Sequence, residues 1–380
     1  MTRTAVIVGG GIGGLAAAIG LRRTGWEVTV LERAPALRAV GAGLVLQANG
    51  LRCLDALGIG EQVRADGHDD VTGGTRRSDG RWLARISAGE LEHALGTPAI
   101  GIHRADLHAI LLDALPPGTV VTGAQVVRVT AEGEVTYREH GTNREAGVGA
   151  DLVVGADGIR SAVREALWPE AAAPVFVGVT AWRGITPVWP HDLTVGISWD
   201  RGAEFGIVPL ADRRVYWFAA LNAPPGEPRG DEKARVRARF GPWHDPIAAL
   251  IDATADVLRD DLACLDTPLT TYVKGRVALL GDAAHAMVPN LGQGANQALE
   301  DAVVLAAVAA RPDGLALYDR ARRPRSQRVA KASRAAGRFG QELSSPVAVA
   351  ARNAAMRLIP PRLALSTMVR FADWRPPDLG

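Results

Sequence analysis

Short apolar runs that end in glycine recur three times along the chain, at residues 5–8, 152–154 and 277–280. A stretch of helical composition follows each run, directly or after a loop. A short, uninterrupted apolar run bounded by glycine is typical of a strand buried on both faces, as in a parallel sheet. The pattern therefore predicts three strand-turn-helix units that contribute to one parallel sheet.

The segments between these units have a different periodicity. Apolar positions predict a helix that begins near Asn49 and an amphipathic helix at 103–115, whereas residues 66–95 contain only short β-prone pieces. From 175 to 264, strand-like runs alternate with Gly, Pro and Asp turns, and six of the nine tryptophans fall in or beside this stretch. Such a pattern predicts an inserted, mostly antiparallel sheet with an aromatic face. Proline-interrupted helices are expected from residue 314 onward.

Composition and charge exclude several classes of protein. The hydrophobic content of 47% and charged content of 22% are ordinary globular values, and a net charge of +2 argues against a nucleic-acid partner. Cys53 and Cys264 lack metal-ligand spacing, so we expect reduced thiols and no metal site. We see neither a secretory signal nor an apolar run of membrane-spanning length, which leads us to expect a cytoplasmic protein without an integral membrane segment.

Candidate chemistry begins at the first turn, GGGIGG at residues 9–14. Gly9, Gly11 and Gly14 satisfy G-x-G-x-x-G between a strand and a helix, and Gly13 lies in the same turn. In this motif the first glycine permits the sharp turn, the second lets a pyrophosphate approach the backbone, and the third lets helix and strand pack closely. The helix N-terminus then presents free amide groups and a positive dipole to the phosphates.

A carboxylate follows the second predicted strand at Glu32, about 20 residues past the glycines, where it can accept hydrogen bonds from ribose hydroxyls. A negative charge there disfavours a 2′-phosphate. The residues therefore predict a bound FAD or NAD rather than NADP. No second G-x-G-x-x-G occurs in the sequence.

Two further motifs accompany the later units: GADGIRSAVR at 155–164 and GDAAHAMVPNLGQGANQALED at 281–301. With GGGIGG in this order, the chain resembles the single-component FAD-dependent aromatic hydroxylases of the para-hydroxybenzoate hydroxylase type. The resemblance implies an α/β fold with a Rossmann-like FAD-binding domain, an inserted β-sheet substrate domain and C-terminal helices. We expect the FAD-binding domain to cover 1–70, 98–174 and 268–330, the substrate domain 71–97 and 175–267, and the helical segment 331–380.

The resemblance also implies cofactor contacts outside the first turn. Asp282 would bind the ribityl hydroxyls of FAD, with helix capping as the alternative. Asp157 would support FAD and the approach of NAD(P)H, unless it is only a turn aspartate. Pro289 would stiffen the loop over the flavin ring as part of the catalytic site, whereas His285 is not expected to transfer protons. The remaining expected cofactor-binding residues are Arg33, Arg104, Gly292, Gly294 and Asn296.

Aromatic side chains alternate along the inserted strands, so that several can share one face. We expect Trp182, Trp199, Tyr216 and Phe218 to line an apolar substrate pocket, with core packing as the alternative. Tyr216 would orient a substrate hydroxyl, and Arg183 would hold a carboxylate or carbonyl group unless it forms a surface ion pair. No polar cluster for a substrate carboxylate can be placed in the sequence, which favours a larger, more apolar substrate.

The function implied by the resemblance is that of an FAD-dependent monooxygenase. NAD(P)H, visiting the same cleft, would reduce FAD, and the C4a-hydroperoxide formed with oxygen would deliver one oxygen atom to an aromatic or other electron-rich substrate. The alternatives are an oxidase or dehydrogenase on the same fold, and a flavin carrier without turnover. A halogenase is disfavoured because W-x-W-x-I-P is absent. We expect a monomer or homodimer.

Overall fold

The computed structural model describes residues 2–37, 42–69, 73–85, 87–142 and 144–379. The elements of the first third, in chain order, are β1 (Arg3–Val8), α1 (Ile12–Arg23), β2 (Trp26–Glu32), β3 (Gly43–Leu46), α2 (Ala48–Ala56), α3 (Gly60–Ala65), β4 (Gly74–Arg77), β5 (Trp82–Arg85), α4 (Ala88–Leu95), β6 (Ile100–His103), α5 (Arg104–Asp113) and β7 (Val120–Thr122).

The middle of the chain is mostly β-structure. Its elements are β8 (Ala124–Val129), β9 (Glu134–Glu139), β10 (Glu145–Gly149), β11 (Leu152–Gly155), α6 (Ala162–Leu167), β12 (Val175–Ile185), β13 (Gly196–Asp200), β14 (Ala203–Pro209), β15 (Val215–Asn222), α7 (Glu232–Phe240), α8 (Ile247–Ala253) and β16 (Val257–Cys264).

The last third is mostly helical. It contains β17 (Val273–Lys274), β18 (Val277–Leu279), α9 (Asp282–His285), a 3-10 turn (Pro289–Leu291), α10 (Gly294–Val308), α11 (Gly314–Phe339), α12 (Pro346–Leu358) and α13 (Pro361–Ala372). Helices α12 and α13 begin at prolines, which the first turn of a helix tolerates because its N–H groups have no partner there. No helix among the described residues is long and apolar enough to cross a bilayer.

The three predicted units do return to one sheet, whose strand order is β17-β18-β11-β1-β2-β7. Strand β1 lies between β11 and β2, and β18 and β7 extend the parallel arrangement on either side. Only the short β17 is antiparallel to its neighbour. The core residues of β1 and α1 are almost completely buried, with Ile7 and Leu15 both 0% exposed. The prediction of a Rossmann-like parallel sheet is confirmed.

A second sheet has the order β16-β12-β15-β14-β13-β4-β5. It is antiparallel except where β4 joins β13, so the predicted mostly antiparallel sheet is confirmed. Strands β4 and β5 come from a part of the chain far from the other five. The predicted domain boundaries stay a prediction, and the boundary at 70/71 lies outside the described residues.

The two faces of this sheet have different neighbours. One face carries Trp182, Phe205 and Trp217 and is covered by α7 and α8. The opposite face, here called the cleft face, carries Val208, Tyr216 and Phe218 and packs against Ala42 and Val45 beside β3. The cleft face therefore borders the parallel-sheet part of the molecule.

The sequence interpretation does not include α7 and α8 in the inserted region or α4 before it. It treated 175–264 as strands and turns, although the Asp231 side chain accepts a hydrogen bond from the Ala234 N–H and so caps α7. It also treated 66–95 as β-prone, although Ser87 and Glu90 form a capping box that begins α4. Both caps are recognisable sequence signals for a helix start.

Candidate active site

The first turn requires glycine at two positions. Gly9 has φ 110°, and a Cβ there would lie 2.4 Å from the Ala156 carbonyl oxygen. A Cβ on Gly14 would lie 2.0 Å from the Gly9 carbonyl oxygen. Side chains at these positions would prevent β1, α1 and the β11 turn from approaching one another.

Two other glycines face open space. A Cβ on Gly11 or Gly294 would have no atom of the described residues within 4 Å, and these glycines lie at the N-termini of α1 and α10. The two helices approach each other closely at Gly13, where a Cβ would lie only 3.1 Å from Ala298 of α10. The same Cβ would lie 2.8 Å from Leu280, which follows β18. The paired N-termini form a cradle suited to an anionic dinucleotide. The structure gives Gly13 a packing role beside α10, and its predicted cofactor contact stays a prediction.

Glu32 lies at the end of β2 beside this cradle. Its carboxylate oxygens accept hydrogen bonds from the Gly10 and Ala34 N–H groups, each 2.8 Å long. These bonds hold the carboxylate at the position where the sequence predicts ribose. The next residue, Arg33, is exposed and has no hydrogen bond or ion pair within the described ranges, so its role stays a prediction.

Helix α5 places two basic residues on the same side of the cradle. The Arg104 N–H donates to the Ala42 carbonyl oxygen, while its exposed side chain makes no hydrogen bond or ion pair with any described residue. One helical turn later, His108 Nε2 donates to the Gly10 carbonyl oxygen at 2.7 Å. His108 was missed from the sequence, although its i+4 spacing from Arg104 places both on one helix face.

Asp157 is engaged by its own turn. Its carboxylate accepts hydrogen bonds from the Ser161 hydroxyl at 2.5 Å and from the Val163 N–H at 3.1 Å. Burial raises the pKa of Asp157, although these hydrogen bonds oppose the rise. The turn-aspartate alternative therefore describes its side chain, and the predicted cofactor contact has no support in this geometry.

Asp282 is the first residue of α9, and Gly281 rather than Asp282 is the N-cap. The exposed Asp282 side chain makes no hydrogen bond with any described residue. The capping alternative is therefore wrong. A carboxylate without protein partners at the carboxyl edge of the sheet suits a hydroxyl-rich ligand chain, and the ribityl contact stays a prediction.

The predicted flavin loop is the 3-10 turn followed by Gly292, which has φ 62° and donates its N–H to the Pro289 carbonyl oxygen at 2.7 Å. Asn296, 0% exposed, holds this loop against β3. Its Nδ2 donates to the carbonyl oxygens of Val45 and Gly292, and its Oδ1 accepts from the Gln47 N–H. The side chain is thus a clamp between protein segments, and the predicted cofactor contact of Asn296 stays a prediction.

Behind the loop, α10 and α11 share a buried ionic network. Asp301 accepts hydrogen bonds from the Gly281 N–H at 2.9 Å, His285 Nε2 at 2.5 Å and Arg322 Nε at 2.7 Å. Burial alone would raise the pKa of Asp301, but the charges of His285 and Arg322 and the hydrogen bonds hold it below its ordinary value. His285 is 4% exposed and pairs with this buried carboxylate, and the expectation that it does not transfer protons stays a prediction.

The cleft face places Tyr216 and Phe218 over glycines. A Cβ on Gly43 would lie 2.4 Å from the Tyr216 ring, and one on Gly206 would lie 2.1 Å from the Phe218 ring. Burial raises the pKa of Tyr216 to about 12, although the Arg183 charge opposes the rise. The phenol is therefore protonated near neutral pH and can donate a hydrogen bond.

Trp182 is not a pocket residue. It lies opposite Ala219 in the strand register, on the face covered by α7 and α8, and its Nε1 donates to Glu232 at 2.7 Å. Since side chains alternate between faces along a strand, Trp182 cannot face the cleft together with Arg183. The substrate-pocket prediction for Trp182 is wrong, and core packing is correct.

Trp199 and Arg183 do share the cleft face but have partners of their own. Trp199 stacks on Arg352 of α12 at 5.2 Å and lies two strands away from Tyr216, and the prediction that they line one pocket stays a prediction. Arg183 pairs with Asp260, as the ion-pair alternative expects. Its buried Nε has no acceptor among the described residues.

Comparison with known proteins agrees with this geometry. A family model described as "FAD binding domain" matches residues 2–333. The chain is 36% identical over 354 residues to an aurachin C monooxygenase/isomerase of Stigmatella aurantiaca, covering 89% of this chain and 90% of that protein. It is 37% identical over 352 residues to a 3-amino-4-hydroxybenzoate 2-monooxygenase of Streptomyces cremeus, covering 90% and 87%.

Solved structures are similar along nearly the whole chain. Klebsiella pneumoniae HpxO, complexed with FAD and uric acid, superposes with a TM-score of 0.87 at 26% identity, covering 97% of this chain and 96% of that one. A salicylate hydroxylase substrate complex superposes with a TM-score of 0.75 at 26% identity, covering 98% of both chains. These findings confirm the predicted resemblance, fold class and FAD cofactor, and they do not favour the oxidase or dehydrogenase alternative. The chain belongs to the FAD-binding family of FAD-dependent aromatic monooxygenases.

Proposed function

We propose that this monooxygenase hydroxylates an aromatic ring bearing a nitrogen or oxygen substituent, with NAD(P)H as reductant and molecular oxygen as co-substrate. The observation that carries the proposal is that β3 links the cleft face to the predicted flavin loop. Tyr216 packs on Gly43 of β3, and Asn296 joins the same strand to Gly292. An aromatic ring placed against Tyr216 and Phe218 therefore lies beside the predicted flavin position.

Cofactor binding is assigned to the cradle residues. The amide groups at Gly11 and Gly294 would receive negative charge at the N-termini of α1 and α10. Glu32, Arg104 and Asp282 would bind the sugar hydroxyls, phosphates and ribityl chain. Bound FAD supplies the redox chemistry that activates oxygen, and the N-terminus of α10 favours negative charge on a group above it.

Substrate orientation is assigned to the cleft face. The protonated Tyr216 hydroxyl would donate a hydrogen bond to a hydroxyl or carbonyl oxygen of the substrate. Arg183 would provide its unpartnered Nε–H. Aromatic walls would exclude water, and an oxygenase needs a dry site because water promotes loss of the activated oxygen as hydrogen peroxide.

The names of relatives support this substrate class. Besides the aminohydroxybenzoate enzyme, a 2-heptyl-3-hydroxy-4(1H)-quinolone synthase of Pseudomonas aeruginosa is 34% identical over 370 residues. The two names contain an aminophenol and a quinolone, which share an electron-rich ring bearing nitrogen and oxygen. These are the first compounds to assay.

The test is a panel of phenols, aminophenols, 4-quinolones and polycyclic ketones, measured as stimulated NADH and NADPH oxidation by the FAD-loaded enzyme. Products formed under labelled oxygen should contain one labelled atom. An oxidised product without the label would instead support a dehydrogenase. Light scattering of the same preparation tests the expected monomer or homodimer.

A further inference from the structure

Glu204 is a buried carboxylic acid on the cleft face that no part of the proposed mechanism uses. It is 6% exposed and lies opposite Ala220 in the strand register. Along β14, Gly206 under the Phe218 ring and Val208 beside Tyr216 follow it on the same face. With about 3.4 Å per residue, Glu204 is about 7 Å along the strand from Gly206 and about 14 Å from Val208.

Its hydrogen bonding is incomplete. Trp199 Nε1 donates to Glu204 Oε2 at 3.1 Å, and no described residue donates to Oε1. Oε1 is not among the described polar atoms that are both sealed from solvent and unpartnered, so this oxygen is accessible. A buried carboxylate normally accepts several hydrogen bonds, because an unsatisfied buried charge is costly. Burial raises the pKa of Glu204 to about 7, and nearby Glu342 adds to the rise.

The surrounding charges do not neutralise Glu204. Glu342 is paired with Arg334, and Arg352 is stacked on the Trp199 ring. Within the described ranges, no basic side chain lies within 4.0 Å of the Glu204 carboxylate. The group is therefore short of both a hydrogen-bond donor and a cation.

Its position relates this carboxylate to the flavin loop. A Cβ on Gly337 of α11 would lie 2.8 Å from Asn290 of the loop and 2.8 Å from Glu342. The loop and Glu342 thus approach the same turn of α11, and Glu342 is the charge that acts on Glu204. In the strand register, Tyr216 lies opposite Val208 at one end of β14 and Glu204 lies near the other end.

We propose that Glu204 is a specificity-determining residue whose free carboxylate oxygen accepts a hydrogen bond from an N–H or O–H group of the aromatic substrate. This inference rests on the proposed function and adds a required donor at the end of the substrate remote from Tyr216. A substrate N–H completes the hydrogen bonding of the buried carboxyl. An analogue without that donor leaves the carboxyl unsatisfied and is therefore rejected.

The test compares 4(1H)-quinolone with its N-methyl analogue, using the full-length, FAD-loaded enzyme. Dissociation constants are obtained from the perturbation of flavin absorbance, and kcat/KM from product formation. The parent should prefer the N–H compound by about tenfold to a hundredfold, as expected for a hydrogen bond to a charged group. E204L should lose this preference. E204Q keeps an acceptor oxygen and should retain part of the preference, but it should lose any change in affinity as the pH rises through 7.

E342Q is the matched control, because it removes the neighbouring carboxylate and leaves Glu204 in place, and it should retain the preference. Equal affinity of the parent for both quinolones, or an unchanged preference in E204L, would overturn the assignment of Glu204 while leaving the proposed function standing. A merely structural role would lower the stability of E204L without changing the preference. A parent enzyme that binds and oxidises no member of the panel would overturn the proposed function together with this inference.

Discussion

Two regions of the molecule bury carboxylates in opposite ways. Between α10 and α11, Glu300 and Asp301 are each 0% exposed, and Arg322 bonds to both. Asn49, Gln297 and Arg325 complete the partners of Glu300. On the cleft face, Glu204 is almost equally buried, but within the part of the chain that the structure describes its side chain accepts one hydrogen bond, from Trp199.

The difference shows that the hydrogen-bond and ion-pair partners of a buried acid, rather than its burial alone, decide whether its pKa rises or falls. Asp301 has a lowered pKa in spite of its burial, whereas the pKa of Glu204 rises to about 7. A sealed network of charges is typical of a structural element, because removing any member leaves another buried and unpaired. An acid that lacks partners destabilises the fold and is a candidate for binding a ligand.

The largest expected effect comes from removing one carboxylate of the buried ionic network between α10 and α11. Asp301→Ala should destabilise the protein by about 3 to 5 kcal/mol, because Arg322 would lose a buried partner. FAD occupancy should fall as well, since Asp301 holds the Gly281 N–H beside Asp282. Chemical denaturation and the flavin-to-protein absorbance ratio measure the two effects. Asp313→Ala, which removes an exposed partner of Arg311, is the control and should change stability by less than about 1 kcal/mol.

The second effect concerns Glu204 on the cleft face, where the substitution should stabilise the protein instead of destabilising it. The raised folded-state pKa of Glu204 means that the native state binds more protons than the unfolded state between about pH 4.5 and 7, so stability falls as the pH rises through this window. Glu204→Gln should remove this loss and stabilise the protein at pH 8 by up to about 3 kcal/mol, with little difference near pH 4. Thermal midpoints measured across this range test the prediction. A parent and variant that respond identically to pH would contradict it.

A third carboxylate, Glu32, lies between these extremes, because both of its oxygens are bound by backbone amides at one side of the cradle. Glu32→Ala should weaken FAD binding by about 1.5 to 3 kcal/mol through loss of charge-assisted hydrogen bonds. Equilibrium dialysis or flavin fluorescence on dilution measures the change. Glu27→Ala, an exposed acid on the same strand, should bind FAD as the parent does. Parent-like FAD affinity in Glu32→Ala would exclude the ribose contact.

The smallest effect is expected at Tyr216. Tyr216→Phe keeps the ring over Gly43 but removes the hydroxyl, so substrate binding should weaken by about 0.5 to 1.5 kcal/mol. A less firmly held substrate should also increase hydrogen peroxide release per NAD(P)H consumed. Peroxide and product are quantified in the same reaction. Unchanged binding and an unchanged product-to-peroxide ratio would show that the hydroxyl does not orient the substrate.

Local patterns made much of the fold predictable. The apolar runs that begin at residues 5, 152 and 277 belong to strands whose two sheet faces are both covered. Gly9 and Gly14 are required by backbone contacts within their own unit and with the β11 turn. The open space at Gly11 also follows from the motif.

Contacts between distant segments were less predictable. Asn296 bonds to Gln47, 249 residues away, so its side chain could not be assigned from motif spacing alone. Trp182 is predicted in the pocket because alternation identifies two faces without saying which one is covered by helices. Glu204 escaped notice because an isolated glutamate in a strand gives no sign that its partners are missing.

The Asn296 clamp has a mechanical consequence for the catalytic cycle. Three hydrogen bonds from one side chain fasten the loop residue Gly292 to Val45 and Gln47, and the same strand supports Tyr216 through Gly43. A displacement of the loop must either carry this strand with it or break bonds worth about 0.5 to 1.5 kcal/mol each. The cleft face and the loop expected over the flavin are therefore held in a fixed relative position by β3.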